Sequence, residues 1–169
     1  MAKDVGGFRE FAASRMDGWR RTAYLLCGDW HAADDMVSAA LTGLYRHWDR
    51  VSRMEHPDAY VRTSMLRAML NERRRPWRRE RSVEFLPEQA ATGPGADGVD
   101  QYLDVTALLA ELPARRRAVL VLRYFCDLSV EETAAELGCS TGTVKSQTSR
   151  ALEALRARLG GAGLVAEEA

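Results

Sequence analysis

The chain has 169 residues, 46% of them hydrophobic, and a formal net charge of zero. That length admits one domain or two small ones with a packed core, and the neutral total excludes a uniformly basic polyanion binder. No apolar run approaches the roughly 18 residues of a membrane span and no signal peptide is recognisable, so a soluble, cytoplasmic protein without a membrane partner is expected.

The neutral total conceals an uneven distribution. Residues 62–81 hold eight arginines against two glutamates, whereas residues 82–114 contain no lysine or arginine. A basic block followed by an acidic one suggests a local nucleic-acid surface. Cys27, Cys126 and Cys139 show no CxxC or Cys/His spacing and read as small hydrophobes in a reducing compartment. His31, His47 and His56 are not paired with cysteine or carboxylate at metal spacing, and there is no phosphate loop or GxSxG turn. The sequence thus predicts neither an enzyme nor a bound metal or cofactor.

In chain order, Phe8, Phe11, Ala12, Trp19, Ala23 and Leu26 share one face of a first helix. Gly28 can end it and Asp29 can cap the next. Met36, Val37, Ala40, Leu41, Leu44, Tyr45 and Trp48 form the apolar stripe of a second helix. Residues 51–58 read as a connector, and a third long helix starts near Pro57 or Asp58 with Val61, Met65, Ala68 and Met69 inward. It ends near Arg75, because Pro76 cannot continue it. Residues 82–103 carry three glycines, two prolines and several carboxylates, the composition of a flexible acidic linker.

Helical signals return from Asp104, with Val105, Leu108, Leu109 and Leu112 on one stripe ended by Pro113. "PARRRAVLVLRYFCD" predicts another helix. Ser129 followed by Glu132 is a capping box, Val130, Ala134 and Leu137 face inward, and Gly138 makes a turn. Ser140 or Thr141 caps a last helix with Val144, Thr148, Leu152, Leu155 and Leu159 inward. Residues 161–169 read as a disordered tail. The expected fold is all-α: two small helical domains, 1–81 and 104–160, joined by the linker.

A short capped helix, a glycine turn and a longer helix make a helix-turn-helix, whose second helix enters the major groove. Its polar residues are Thr141, Thr143, Lys145, Ser146, Gln147, Ser149 and Arg150. Gln147 can read adenine; Lys145 and Arg150 can bind guanine edges or phosphate; Thr143 and Ser146 can donate to phosphates.

The segment "LPARRRAVLVLRYFCDLSVEETAAELGCSTGTVKSQTSRALEALR" resembles the C-terminal DNA-binding domain of bacterial RNA polymerase sigma factors of the extracytoplasmic-function branch, and within it the actinobacterial sigma-E-like subfamily. Leu112, Pro113, Arg117 and Arg123 match the family's lead-in; Leu128, Ser129, Glu132, Gly138, Thr143, Val144, Lys145 and Arg150 match its helix-turn-helix. Less tightly, "AYLLCGDWHAADDMV" and "AYVRTSMLRAMLNERRR" are similar to the family's first domain. The resemblance implies a monomeric initiation factor with core RNA polymerase and promoter DNA as partners. Residues 1–81 would dock on the beta-prime clamp helices and melt the minus-10 element; residues 104–160 would bind the minus-35 element and rest on the beta flap.

It further implies minus-10 contacts by Met54, Glu55, His56, Arg62, Thr63, Arg67, Asn71 and Arg74, and polymerase contacts by Asp34, Asp35 and Ser38. Asp34 and Asp35 have a plainer reading, a solvated helix end. The linker is either a spacer or a mimic of RNA charge. Where the family usually has a Gln-Glu pair, Ser38 and Ala39 stand. An anti-sigma factor is left open as a further partner. The rival reading, a stand-alone regulator with residues 1–81 as its input domain, predicts tight palindrome binding without polymerase.

Overall fold

A computed structural model describes residues 4–72 and 99–166, with side-chain surroundings from 4 to 71 and from 105 to 160. The arginine tract from Arg73 to Arg81, including Arg74 and Trp77, and the linker expected through residue 98 lie outside the described residues. Within them every regular element is helical: α1 (Val5–Cys27), α2 (Trp30–Arg46), α3 (Trp48–Val51), α4 (Pro57–Glu72), α5 (Val99–Ala110), α6 (Ala114–Leu120), α7 (Val130–Leu137) and α8 (Thr141–Ala166). The all-α expectation holds.

The punctuation residues act as their chemistry requires. Gly28 adopts φ +79° and donates its N–H to the carbonyl of Tyr24, closing α1. Asp29 then accepts the N–H of Ala32 at 2.7 Å, capping α2. At α7 the Ser129 hydroxyl accepts from the Glu132 N–H at 3.0 Å while the Glu132 carboxylate accepts from the Ser129 N–H at 2.7 Å. The backbone hydrogen bond, then the hydroxyl, hold the Glu132 carboxyl below its ordinary pKa. Gly138 turns the chain at φ +64°, and Ser140, not Thr141, caps α8 by accepting the Thr143 N–H at 3.1 Å.

Four boundaries differ from expectation. α2 ends at Arg46, so Trp48, expected on its stripe, begins the short α3 instead. α5 begins at Val99, inside the expected linker, and the backbone of α8 stays helical to Ala166, through most of the expected tail. The helix after Pro113 does not end cleanly either. α6 widens into a π turn over Val121–Phe125, with the Cys126 N–H donating to the Val121 carbonyl at 3.0 Å. Asp127 follows at φ +54°, a left-handed conformation that Asp tolerates better than most side chains. The Arg123 guanidinium clamps this exit by donating to the Leu128 carbonyl.

One apolar cluster runs through both halves of the chain. It joins Ala12, Trp19, Leu26, Val37, Leu44, Val61 and Met65 to Leu109, Leu112, Ala118, Leu122 and Ala151. A smaller one, Val119, Ala134 and Val144, fixes α8 against α7. The expected inward stripes hold with two exceptions: Leu159 is exposed and Tyr45 lies at the surface, its ring edge-on to Phe8. Trp48 is core. Helix α4 is tied down at its start by Asp58, which accepts from Arg15 Nε at 2.9 Å and from Trp19 Nε1 at 3.1 Å.

Candidate nucleic-acid and polymerase interfaces

An α-helix advances about 100° per residue, so residues four apart stay together along one side of α8. Thr141, Lys145 and Ser149 make one such row, and Ser146 with Arg150 makes the next; all five are exposed. Val144 and Ala151, on the opposite side, are fully buried. Thr143 and Gln147 occupy the shoulder and are half-buried. Thr143 Oγ1 lies 2.9 Å from Ser140 Oγ, and the Ser146 hydroxyl donates to the Thr143 carbonyl at 3.0 Å. From Thr141 to Arg150 the helix carries two cations and no carboxylate. Its free N–H groups and dipole add positive potential at the same end.

The residues expected at the minus-10 element do not form so open a face. Met54, Glu55 and His56 are exposed in the turn before α4, with His56 Nε2 3.9 Å from Glu55 Oε1. Arg67 and Asn71 are exposed on α4, and Thr63 is half-buried. Arg62 is engaged elsewhere. Its Nε donates to Glu136 Oε1 and Oε2 at 3.0 and 3.1 Å, and its Nη2 to Oε1 at 2.6 Å, with side-chain exposures of 17% and 8%. Burial works against the Arg62 charge, but the hydrogen bonds and charge of Glu136 outweigh it, and the guanidinium pKa is raised.

Among the residues expected at polymerase, Asp35 and Ser38 are exposed on α2. Ser38 borders a shallow open groove between α1 and α2 that also includes Phe8, Met16, Leu41 and Tyr45. Asp34 is already paired: Arg20 Nε and Nη2 donate to its two oxygens at 2.6 and 3.2 Å. The hydrogen bond to Asp34 raises the Arg20 pKa against a small loss from burial.

Sequence reasoning missed Arg117. Its guanidinium is buried, with Nε donating to the Leu109 carbonyl at 2.8 Å, Nη2 to Ala110 at 2.9 Å and Leu112 at 3.2 Å, and Nη1 to Leu26 at 2.8 Å. It thereby caps the ends of α5 and α1 together. The signal was present: Ala114, Arg117, Ala118 and Val121 fall at i, i+3, i+4 and i+7, the inward stripe of α6. Burial raises the thiol pKa values of Cys27, to about 11, and of Cys126, which agrees with cysteines used as packing residues. No described helix is long and apolar enough to cross a membrane.

The comparisons with known proteins agree with this geometry. Residues 16–79 match the family Sigma-70 region 2, and residues 102–155 match Sigma-70, region 4. The chain is 38% identical over 159 residues to the RNA polymerase sigma-E factor of Streptomyces coelicolor, covering 92% of this chain and 88% of that protein. It is 32% identical over 150 residues to the ECF RNA polymerase sigma factor SigC of Mycobacterium tuberculosis, covering 86% and 78%. Among solved structures, the sigma factor RpoE of Bartonella quintana, crystallised with the anti-sigma factor NepR, superposes with a TM-score of 0.73 at 26% identity, covering 92% of this chain and 98% of that one. The chain therefore belongs to the sigma-70 family as an extracytoplasmic-function RNA polymerase sigma factor, a promoter-recognising subunit of transcription initiation.

Proposed function

We propose that the two halves of this sigma factor divide promoter recognition as follows. The exposed face of α8, with Thr141, Lys145, Ser146, Ser149 and Arg150 and the shoulder residues Thr143 and Gln147, binds the minus-35 element as duplex. Met54, Glu55 and His56 in the turn, Arg62, Thr63, Arg67 and Asn71 on α4, and Arg74 after it in sequence meet the minus-10 element. Asp34, Asp35 and Ser38 on α2 meet the clamp helices of core polymerase, and residues 82–98 connect the two units. The protein acts in the cytoplasm, as a regulatory factor rather than a catalyst. An anti-sigma factor is a candidate partner, in line with the complex in which the Bartonella relative was crystallised.

The observation that carries this reading is the outer face of α8 from Thr141 to Arg150, which holds two cations and no carboxylate. Acidic side chains there would repel the phosphate backbone, whereas Lys145 and Arg150 attract it. The test is reconstituted initiation with core polymerase. Wild-type protein should direct promoter-specific transcripts, and a gel shift should show specific DNA binding only when core polymerase is present. Lys145→Ala with Arg150→Ala should abolish dependence on the minus-35 sequence. Tight palindrome binding by the free chain would overturn the assignment. Asp35→Arg should lower the yield of chain pulled down by core polymerase; an unchanged yield removes Asp35 from the contact.

A further inference from the structure

Two aspartates stand side by side near the start of α2, and the fold treats them differently. Asp35 is exposed, and among the described residues it has no ion-pair partner. Asp34 is held. Arg20 on α1 sets Nε on one carboxylate oxygen at 2.6 Å and Nη2 on the other at 3.2 Å. The two side chains keep exposures of 32% and 50%, so the pair lies at the surface.

Arg20 is held in its turn. The centre of its guanidinium lies 5.6 Å from the centre of the Trp30 ring. Trp30 is stacked on Tyr24, with centroids 4.1 Å apart and planes 7° from parallel. Tyr24 is buried one turn further along α1. The cation therefore rests on an aromatic platform while its fork faces one carboxylate, and its rotamer freedom is already spent in the free chain.

A carboxylate forked by a guanidinium has its charge balanced at contact distance, so a cation approaching from outside meets a dipole in place of a charge. Asp35 presents its full charge. Ser38 and Thr42, both exposed, follow it at i+3 and i+7, so its row runs along the edge of the groove between α1 and α2.

We propose that Arg20 is a positioning residue of the polymerase contact: it brings Asp34 to core polymerase as half of a neutral pair and leaves Asp35 to carry the charge of α2. This rests on the assignment of α2 to polymerase and names the residue that sets the strength of that contact. With one of two adjacent charges discounted, core binding is weaker and less salt-sensitive than two bare carboxylates would make it.

The test measures binding of the full chain to core polymerase across a salt series, with thermal melts to verify that each variant is folded. Arg20→Gln removes the charge and keeps a flat polar end. It should tighten binding at low salt by up to about fivefold, the scale of one partly exposed charge, and the gain should fade as salt rises. Asp34→Asn should weaken binding, because Arg20 then faces the partner's cations unbalanced; adding Arg20→Gln should recover that loss. Lost packing would weaken every variant at all salt concentrations. In the free chain, carbodiimide-driven coupling of an amine should label Asp35 faster than Asp34, and Arg20→Gln should bring the two rates together.

An Arg20→Gln variant that binds no more tightly overturns the proposal. So does a double variant as weak as Asp34→Asn alone, which would make Asp34 a direct charge partner of polymerase, or equal labelling of the two aspartates in wild type. Asp35→Arg separates the two readings. If it weakens binding while Arg20→Gln fails to tighten it, α2 stays the polymerase contact and Arg20 loses its role. If it leaves binding unchanged while labelling still finds Asp34 masked, the pair stands and the assignment of α2 to polymerase falls.

Discussion

Helices α4 and α8 both carry arginine and polar side chains proposed to meet DNA, yet they present them in opposite ways. On α8 the five outermost residues are free of the rest of the fold, and the buried side is narrow, chiefly Val144 and Ala151. On α4 two adjoining rows are buried. Val61, Met65 and Met69, four residues apart, make one row, and Leu66 follows Arg62 on the next. A helix wedged between two neighbours has little perimeter left, so its polar residues must share space with packing. That is why Arg62 finds an internal carboxylate and Arg150 does not.

The largest expected difference between the two helices lies in the packing beneath them. Met65→Ala empties a fully buried site beneath α4 and should cost about 2–5 kcal/mol. Val144→Ala, beneath α8, removes a smaller side chain and should cost less. Thermal melts of both variants check the order, and a larger loss at Val144 would mean that α8 is the more deeply anchored helix.

The next effect concerns the open face. Lys145→Ala and Arg150→Ala should each lower the salt slope of promoter binding by about one unit, and weaken binding by about 1–3 kcal/mol where a base edge is contacted. Holoenzyme filter binding across a salt series measures both. In the free chain an arginine-selective reagent should modify Arg150 well before Arg62; equal rates would erase the distinction between the two helices.

Smaller again is the turn that aims α8. Gly138 is left-handed and has open space where a Cβ would stand. Gly138→Ala should therefore cost about 1–2 kcal/mol from backbone strain alone, and Gly138→Asn less. The smallest effect is acid dependence. The Glu132 pKa is lower in the folded chain than in the unfolded one. Its contribution is present above the unfolded carboxylate pKa and fades as pH falls through the folded value. Urea titrations from pH 6 down to pH 3 should show that fading in wild type and not in Glu132→Gln.

Much of this was legible in the chain itself. Caps at Asp29 and Ser129, the turn at Gly138 and the stripes of α1, α2 and α4 follow from local rules, because each depends on neighbours a few residues away. The partners of charged groups were not legible. Arg62 meets Glu136 across 74 residues and Arg117 meets Leu26 across 91. Nothing local distinguishes Arg62 from Arg67, or Asp34, which Arg20 occupies, from Asp35. The inward position of Arg117 was visible in its period, but the carbonyls it would find were not. The early start of α5 was hidden by a segment whose glycines and prolines end only one residue before Val99.

The continuity of the main apolar cluster gives the closed chain a thermal character. Separating the two units would wet part of the surface now shared by α1, α5 and α6, and wetting apolar surface raises heat capacity. Closure of that kind weakens on cooling, because apolar attraction near room temperature is entropic in origin. Contact between the two units therefore weakens as temperature falls, even at fixed polymerase concentration.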